Sequence, residues 1–546
     1  MMTWLLLAAC TRGEDTGEQP PVNRPWEPFI AVEGEGELMA GAAAVSITPD
    51  CFESFVDLDG DAEFDKDEEL LDCGCDRLCP DDEGYTAPDE GEGDGKHQVV
   101  WMAGFQNNRP AQGVHDELWA RAIVLDQGDV RVGIVTVDLV GWFHQEAVAT
   151  RELAADRGLD LDHILIVATH NHEGPDTVGM WGKTESTNGF DRDYGDLVVE
   201  HSVDALEQAV AALTVVDEFV VGSADVRDFS DRGALNLLRD ARDPKIIDPN
   251  LGAAIFRDGN GDTIATLAHF GNHPEAMADE NALLTSDYVD GLRKQLEEDF
   301  GGTALYITGT VGGMMTPLGV THVDADGTEW REYTHERAER IGREKARIAK
   351  SALDNGQTVV SPQLKAAATI FYLPVENYAF QAGFLSGILK RQLFNYDTTL
   401  PIGGDNVPEV LTEMDYIAIG PLEMLTIPGE PLPELAVGGY DGSLTGHSTE
   451  PIVDEGNPNP PDLSQAPEGP YLKDLLSGEH RWIVGMGNDE LGYMIPPYNF
   501  QLDENVPWFD EAEGDHYEET NSLGPNTAPL VIEEAEQLMT WVQANL

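Results

Sequence analysis

The sequence predicts an α/β fold of layered mixed sheets flanked by helices, with a candidate site at strand ends. Three observations predict it. Apolar, β-branched runs such as 164–167 and 263–270 have strand character, while 145–157, 197–213 and 330–355 have helical character. The two signals alternate along the chain, as packed α/β layers require. Several apolar runs stop at His or Glu beside Gly or Pro, and the mouth of a strand is where open α/β sheets place their chemistry.

The elements follow in order. A first strand begins at 39 and stops at Pro49. Segments 113–125 and 131–138 are strands joined by a turn at Gln127-Gly128, and a helix covers 145–157. The run 164–167 ends in Thr169-His170-Asn171-His172 and breaks at Gly174-Pro175. Imidazoles at i and i+2 of a strand share one face. After a helix over 197–213, strands 252–256 and 263–270 flank a Gly/Asn/Asp turn at 258–262, and the second stops at His273-Pro274. Thr285-Ser-Asp287 offers an N-cap for the next helix. Strand 304–308 runs into the glycine-bearing stretch 309–317, and 330–355 is a charged amphipathic helix. Strand 416–420 precedes Pro428-Gly429-Glu430, strand 482–486 precedes Tyr493, and a helix over 531–546 closes the chain.

Composition narrows the class of partner. The chain has 546 residues, 101 acidic against 32 basic, and a net charge of −69 that would repel nucleic acid and anionic membrane surfaces. Residues 1–9 are largely apolar and lead to Cys10. That is the form of a lipoprotein-type signal peptide, with Cys10 as a lipid anchor on the membrane and export to the cell envelope or secretion as the destination. Residues 10–38 are polar and rich in Gly, Glu and Pro, as a disordered tether would be. The folded domain spans 39–546, with a Cys/Asp-rich insertion at about 50–97. Outside the cytosol Cys51, Cys73, Cys75 and Cys79 form two disulfides in one of three connectivities; a zinc knuckle is the rival. Within the insertion, Asp57, Asp59, Asp61, Asp65 and Glu68 have the ligand spacing of an EF-hand-type Ca²⁺ loop, with Ala62 where that loop wants Gly.

Strand ends thus present His170 with His172, then His273, Glu430 and Tyr493. Two imidazoles plus a carboxylate suit Zn²⁺ with an open position for water. The stretch Ala168-Thr-His-Asn-His-Glu-Gly-Pro175 resembles the Thr-His-Thr-His-Ser-Gly-Pro signature of the neutral/alkaline, non-lysosomal ceramidases. Further matches keep that family's order: Gly113-Val-His115 with Ala120-Arg-Ala122, Arg232 in its loop, His273 followed by Met277, Ser286-Asp287, Pro428-Gly-Glu430, Asn488 to Tyr493, and Tyr517-Glu518 with Gly524-Pro525. The resemblance covers about 40–546. It implies zinc held by His170, His273, Glu430 and Tyr493. It also implies that His172, Arg232 and Tyr517 surround the attacking water and the substrate amide, with His172 as proton shuttle and Tyr517 or Arg232 stabilising the oxyanion. There are departures. Glu173 replaces a serine, Thr316 replaces the serine of a Gly-Asp-Val-Ser-Pro segment, the insertion 50–97 is extra, and no C-terminal immunoglobulin-like domain is expected.

The reading is an exported zinc-dependent amidohydrolase cleaving a lipid-like N-acyl amide, a ceramide-like sphingolipid. The alternatives are a zinc hydrolase of another amide or ester, and a calcium-dependent surface-binding lipoprotein with a degenerate site.

Overall fold

The computed structural model describes residues 26–546. The signal peptide, Cys10 and the start of the tether lie outside the described residues. Three five-stranded sheets enclose one apolar core. The first runs His163–Ala168, Val130–Val137, Trp119–Gln127, Leu38–Ser46, Thr214–Val215 in spatial order. The second runs Thr303–Thr308, Thr263–Phe270, Asn250–Arg257, Glu218–Asp225, Gln357–Val359. The third runs Ile30–Glu33, Leu364–Pro374, Glu409–Ile419, Leu422–Thr426, His480–Val484.

Strand alternation sorts the side chains. Along Trp119–Gln127, Ile123 and Leu125 enter the core shared by all three sheets, where they meet Phe256 and Leu267 of the second sheet and Ile417 and Met424 of the third. The intervening Ala122 and Val124 face the opposite way, against Ala147, Val198 and Leu206 of the helices His144–Asp156 and Arg192–Ala211. The outer face of the second sheet is covered by Tyr288–Phe300 and His335–Asp354, and that of the third by Thr527–Asn545. Each sheet is therefore buried on both faces, which explains the near-continuous apolar runs of its central strands.

Each sheet contains one parallel pair. Val130–Val137 pairs with His163–Ala168, Thr263–Phe270 with Thr303–Thr308, and Leu422–Thr426 with His480–Val484. The carboxyl ends of the three pairs meet and are tied together. Thr308 Oγ1 donates to the Ala168 carbonyl (2.8 Å), the Gly485 N–H to Thr308 (3.1 Å), and the Asn488 N–H to Ile166 (2.7 Å).

Some boundaries differ from the sequence expectation. The tether does not reach residue 38: Ile30–Glu33 is an edge strand, antiparallel to Lys365–Ala368. Its polar surroundings hide a four-residue strand whose burial alternates only weakly. The helix expected from 330 starts at His335, because Thr334 caps it and Glu329–Trp330 pairs with His322–Val323. Leu364–Pro374 and the helix Tyr378–Ser386 add elements that the sequence patterns do not mark. Asp287 does cap Tyr288–Phe300. The cysteines pair as Cys51–Cys75 and Cys73–Cys79. Among the described residues no helix is long and apolar enough to cross a membrane.

Candidate metal centre

The three tied strand ends carry the candidate ligands. His170 follows His163–Ala168, and its own backbone is left-handed (φ 64°), a conformation that a non-glycine residue rarely adopts outside constrained sites. His273 follows Thr263–Phe270, and Glu430 follows Leu422–Thr426. His170 Nε2 lies 3.3 Å and His273 Nε2 3.2 Å from Glu430 Oε2. His172 Nε2 lies 3.3 Å from His170 Nε2. Donors bound at about 2.0–2.1 Å to a tetrahedral zinc stand roughly 3.3 Å apart, so the His170–Glu430 and His273–Glu430 separations are those of a ligand set.

The protons are arranged for the same purpose. His170 Nδ1 contacts the Val140 carbonyl at 2.6 Å and His273 Nδ1 the Met315 carbonyl at 3.1 Å. Each ring donates there, leaving its Nε2 lone pair pointing at Glu430. His273 Nε2 and Glu430 Oε2 are buried with no hydrogen-bond partner, although His273 is fully buried. Buried polar atoms are rarely left so. Burial alone would lower His170, but the Glu430 carboxylate overrides it and lifts the ring to about 9; the same contact, against burial, holds Glu430 down at about 2. Positive charge is favoured beside Glu430, and a divalent cation would supply it. The donors therefore fit a metal ion, with imidazole and carboxylate chemistry that suits zinc.

Tyr493 is 4% exposed and forms a parallel bridge with Glu430. Its hydroxyl lies 3.1 Å from Met314 Sδ. His172 backs onto Gly104, where any Cβ would collide with the imidazole ring. Burial first, then His170 and His273, hold His172 well below its ordinary value, so it is a neutral base. Its Nδ1 faces Glu275 Oε2 at 3.4 Å. Glu275 in turn is hydrogen-bonded by the buried Thr316, which stands beside the site through this carboxylate. Tyr517 shares the cleft and meets Tyr493 edge to face, with centroids 6.1 Å apart. Arg232 is not brought in: it is exposed at the start of a 3₁₀ turn and does not line the cleft. Glu173, expected to add charge, is fully buried and matched by Arg109 (3.4 Å) and Asn281 (2.8 Å), while Arg109 also grips the His172 carbonyl (2.6 Å). Sequence reasoning missed Arg109, Glu275 and Glu490; the Pro-Glu after His273 and the Asp-Glu after Asn488 were the available signals.

Above the ligands opens a cleft with about 80 Å³ of space for water-sized molecules. His170, His172, Glu430, Glu490 and Tyr493 line it together with Val140, Phe143, Val178, Met180, Trp181, Phe380, Phe384 and Leu389. Such an apolar cleft with a few convergent polar groups is the usual form of a small-molecule site.

Residues 92–311 match the family described as neutral/alkaline non-lysosomal ceramidase, N-terminal. Over that stretch the chain is similar to the neutral ceramidases. It is 27% identical over 206 residues to the neutral ceramidase of Pseudomonas aeruginosa, a match covering 35% of this chain and 30% of that one, so the matched stretch spans about a third of the curated relative's length. The crystal structure of the Pseudomonas aeruginosa neutral ceramidase superposes with a TM-score of 0.61 at 16% identity, covering 93% of this chain and 75% of that one. A structure of ceramidase complexed with C2 gives 0.62 at 15% identity, covering 93% and 76%. The layered α/β fold is thus the ceramidase fold. The candidate calcium loop lies in the insertion: carboxylate oxygens of Asp57, Asp59 and Asp61 lie within 4.8 Å of one another. Glu68 accepts from the Leu58 and Asp65 N–H groups, and Ala62 takes a left-handed backbone (φ 64°) where glycine was expected. The Asp65 side chain is not in that group of three.

Proposed function

We propose that the chain is a zinc-dependent amidohydrolase that cleaves a linear N-acyl amide, with a ceramide-like sphingolipid as its substrate class. The observation that carries this reading is the convergence of His170, His273 and Glu430, one from each sheet, beside an apolar cleft. Zinc held by His170, His273, Glu430 and Tyr493 would supply Lewis acidity and a lowered water pKa. Val140, Phe143, Trp181 and Phe384 would bind the acyl or alkyl chains and exclude water. His172, neutral and oriented by Glu275, would take a proton from the attacking water and return it to the leaving amine. The Tyr517 hydroxyl would donate to the developing oxyanion. The likeness to a neutral ceramidase and to a ceramidase complexed with C2 supports a ceramide-type substrate. Two disulfides support export, and Cys10 is its proposed lipid anchor.

The test is metal content of the soluble chain, with a panel of ceramides and other N-acyl amides hydrolysed by the same sample. Zinc near one per chain with ceramide cleavage is expected. Zinc with cleavage of other amides or esters alone would move the substrate class. Calcium without zinc would favour a surface-binding lipoprotein.

A further inference from the structure

The loop Gly487 to Tyr493 holds a carboxylate that the ligand set above leaves unused. Glu490 lines the cleft floor with His170 and Glu430, and one of its oxygens lies within 4.8 Å of their donor atoms. Its Oε1 accepts the Gly492 N–H at 2.7 Å, which fixes the carboxylate plane. Its Oε2 is buried and has no hydrogen-bond partner. The side chain reaches this place because residue 141 is glycine: a Cβ there would stand 2.6 Å from Glu490 Cγ. The nearby cation, Arg391, is held by Asp489 through both nitrogens (2.6 Å at Nη1) and donates to the Leu411 carbonyl as well, so it does not neutralise Glu490. Two carboxylates thus face the His170 imidazole, each with an oxygen buried and without a hydrogen-bond partner. Opposed carboxylates repel in a dry site unless a cation joins them.

The architecture gives the same indication. In the first two sheets the loop beside the ligand-bearing one supplies a backbone carbonyl, Val140 or Met315, to orient a histidine. In the third sheet the neighbouring loop supplies side chains instead, Tyr493 and Glu490.

We propose that Glu490 is an additional oxygen ligand of the divalent metal, making this a two-carboxylate centre with more than four protein donors. The proposal rests on the metal reading above. With Glu430 and Glu490 both ionised, a divalent ion at the site is electrically neutralised. The added oxygen donor favours ions that accept five or six ligands, Co²⁺ and Mn²⁺ among them, beside Zn²⁺.

The experiment measures Zn²⁺ affinity of the full soluble chain by chelator competition, for wild type, Glu490→Gln, Glu490→Asp and His273→Ala. Glutamine keeps the acceptor for Gly492, and apo-form melting curves verify folding. Glu490→Gln is expected to weaken binding on the order of 10-fold or more, with partial recovery in Glu490→Asp. Visible spectra of the Co²⁺ forms give a second readout: with the bound water counted, weak bands of a six-coordinate ion in wild type and stronger five-coordinate bands in Glu490→Gln. Affinity and spectrum unchanged in Glu490→Gln, with binding lost in His273→Ala, would overturn the Glu490 assignment alone. Absence of stoichiometric metal in the wild type would overturn the underlying metal reading as well.

Discussion

At the scale of single residues, the geometry separates two kinds of histidine. His170 and His273 each spend Nδ1 on a backbone carbonyl and turn Nε2 toward Glu430, whereas His172 directs Nδ1 toward Glu275. His170→Ala should therefore lose most bound zinc together with activity. His172→Ala should retain zinc and lose about 10²–10⁴-fold in rate, the usual contribution of a positioned base. Metal analysis and kinetics on the same two proteins check both; a metal-free His172→Ala protein would place His172 among the ligands. His170, His273 and Glu430 were legible because each interrupts an apolar strand run at a Gly or Pro. Glu275 and Glu490 were not, because one carboxylate among 101 acidic residues carries no distinguishing mark until the fold shows which are buried. Arg232 was expected from resemblance alone, and its exposed turn explains why strand logic never pointed to it.

At the scale of elements, the short helix Tyr517–Thr520 presents Tyr517 to the cleft and is held from below. Arg242, almost fully buried, binds Glu518 (2.7 Å), Glu519 (2.8 Å) and the Asn499 carbonyl (2.6 Å). Arg242→Met removes one side of a buried ion cluster and should cost about 3–5 kcal/mol, read as a lower denaturant midpoint at unchanged slope. The same variant should slow turnover. The cysteine-bearing insertion is a separate element with its own test. Ca²⁺ should raise the melting temperature through Asp57, Asp59 and Asp61, and the Asp59→Ala/Asp61→Ala double variant should abolish that rise. Most central strands were readable, since burial on both faces leaves unbroken apolar runs. Leu364–Pro374 was not: its alanines and its half-exposed end at Ile370 and Tyr372 blur both the apolar run and the alternation.

At the scale of the whole molecule, the shared core and the acidic surface set the response to solution conditions. His269 sits where the second and third sheets meet, stacked on Trp482 (5.0 Å) with Nε2 2.9 Å from the Ile483 carbonyl. Burial holds it down at about 4, against 6.5 for an ordinary histidine. The unfolded chain therefore takes up this proton first as pH falls. Stability should decline from about pH 6.5 to about pH 4, by about 3 kcal/mol from this residue at the end of the window. In His269→Gln the melting temperature should fall less steeply over that range. With a net charge of −69, moderate salt should also raise the melting temperature by screening self-repulsion. The three-sheet closure could not be read from the sequence, because strand pairing across remote segments leaves no local mark.

The meeting of the three parallel pairs has one more consequence. Because His170, His273 and Glu430 belong to different sheets, a chain with any one sheet unformed lacks a complete set of donors. On the proposed metal reading, tight metal capture would be a checkpoint on assembly: partly folded intermediates should surrender the ion to a mild chelator, and only the finished molecule should keep it. The moment at which a refolding sample becomes chelator-resistant would time the last docking step, with the ion serving as an internal clock for the fold.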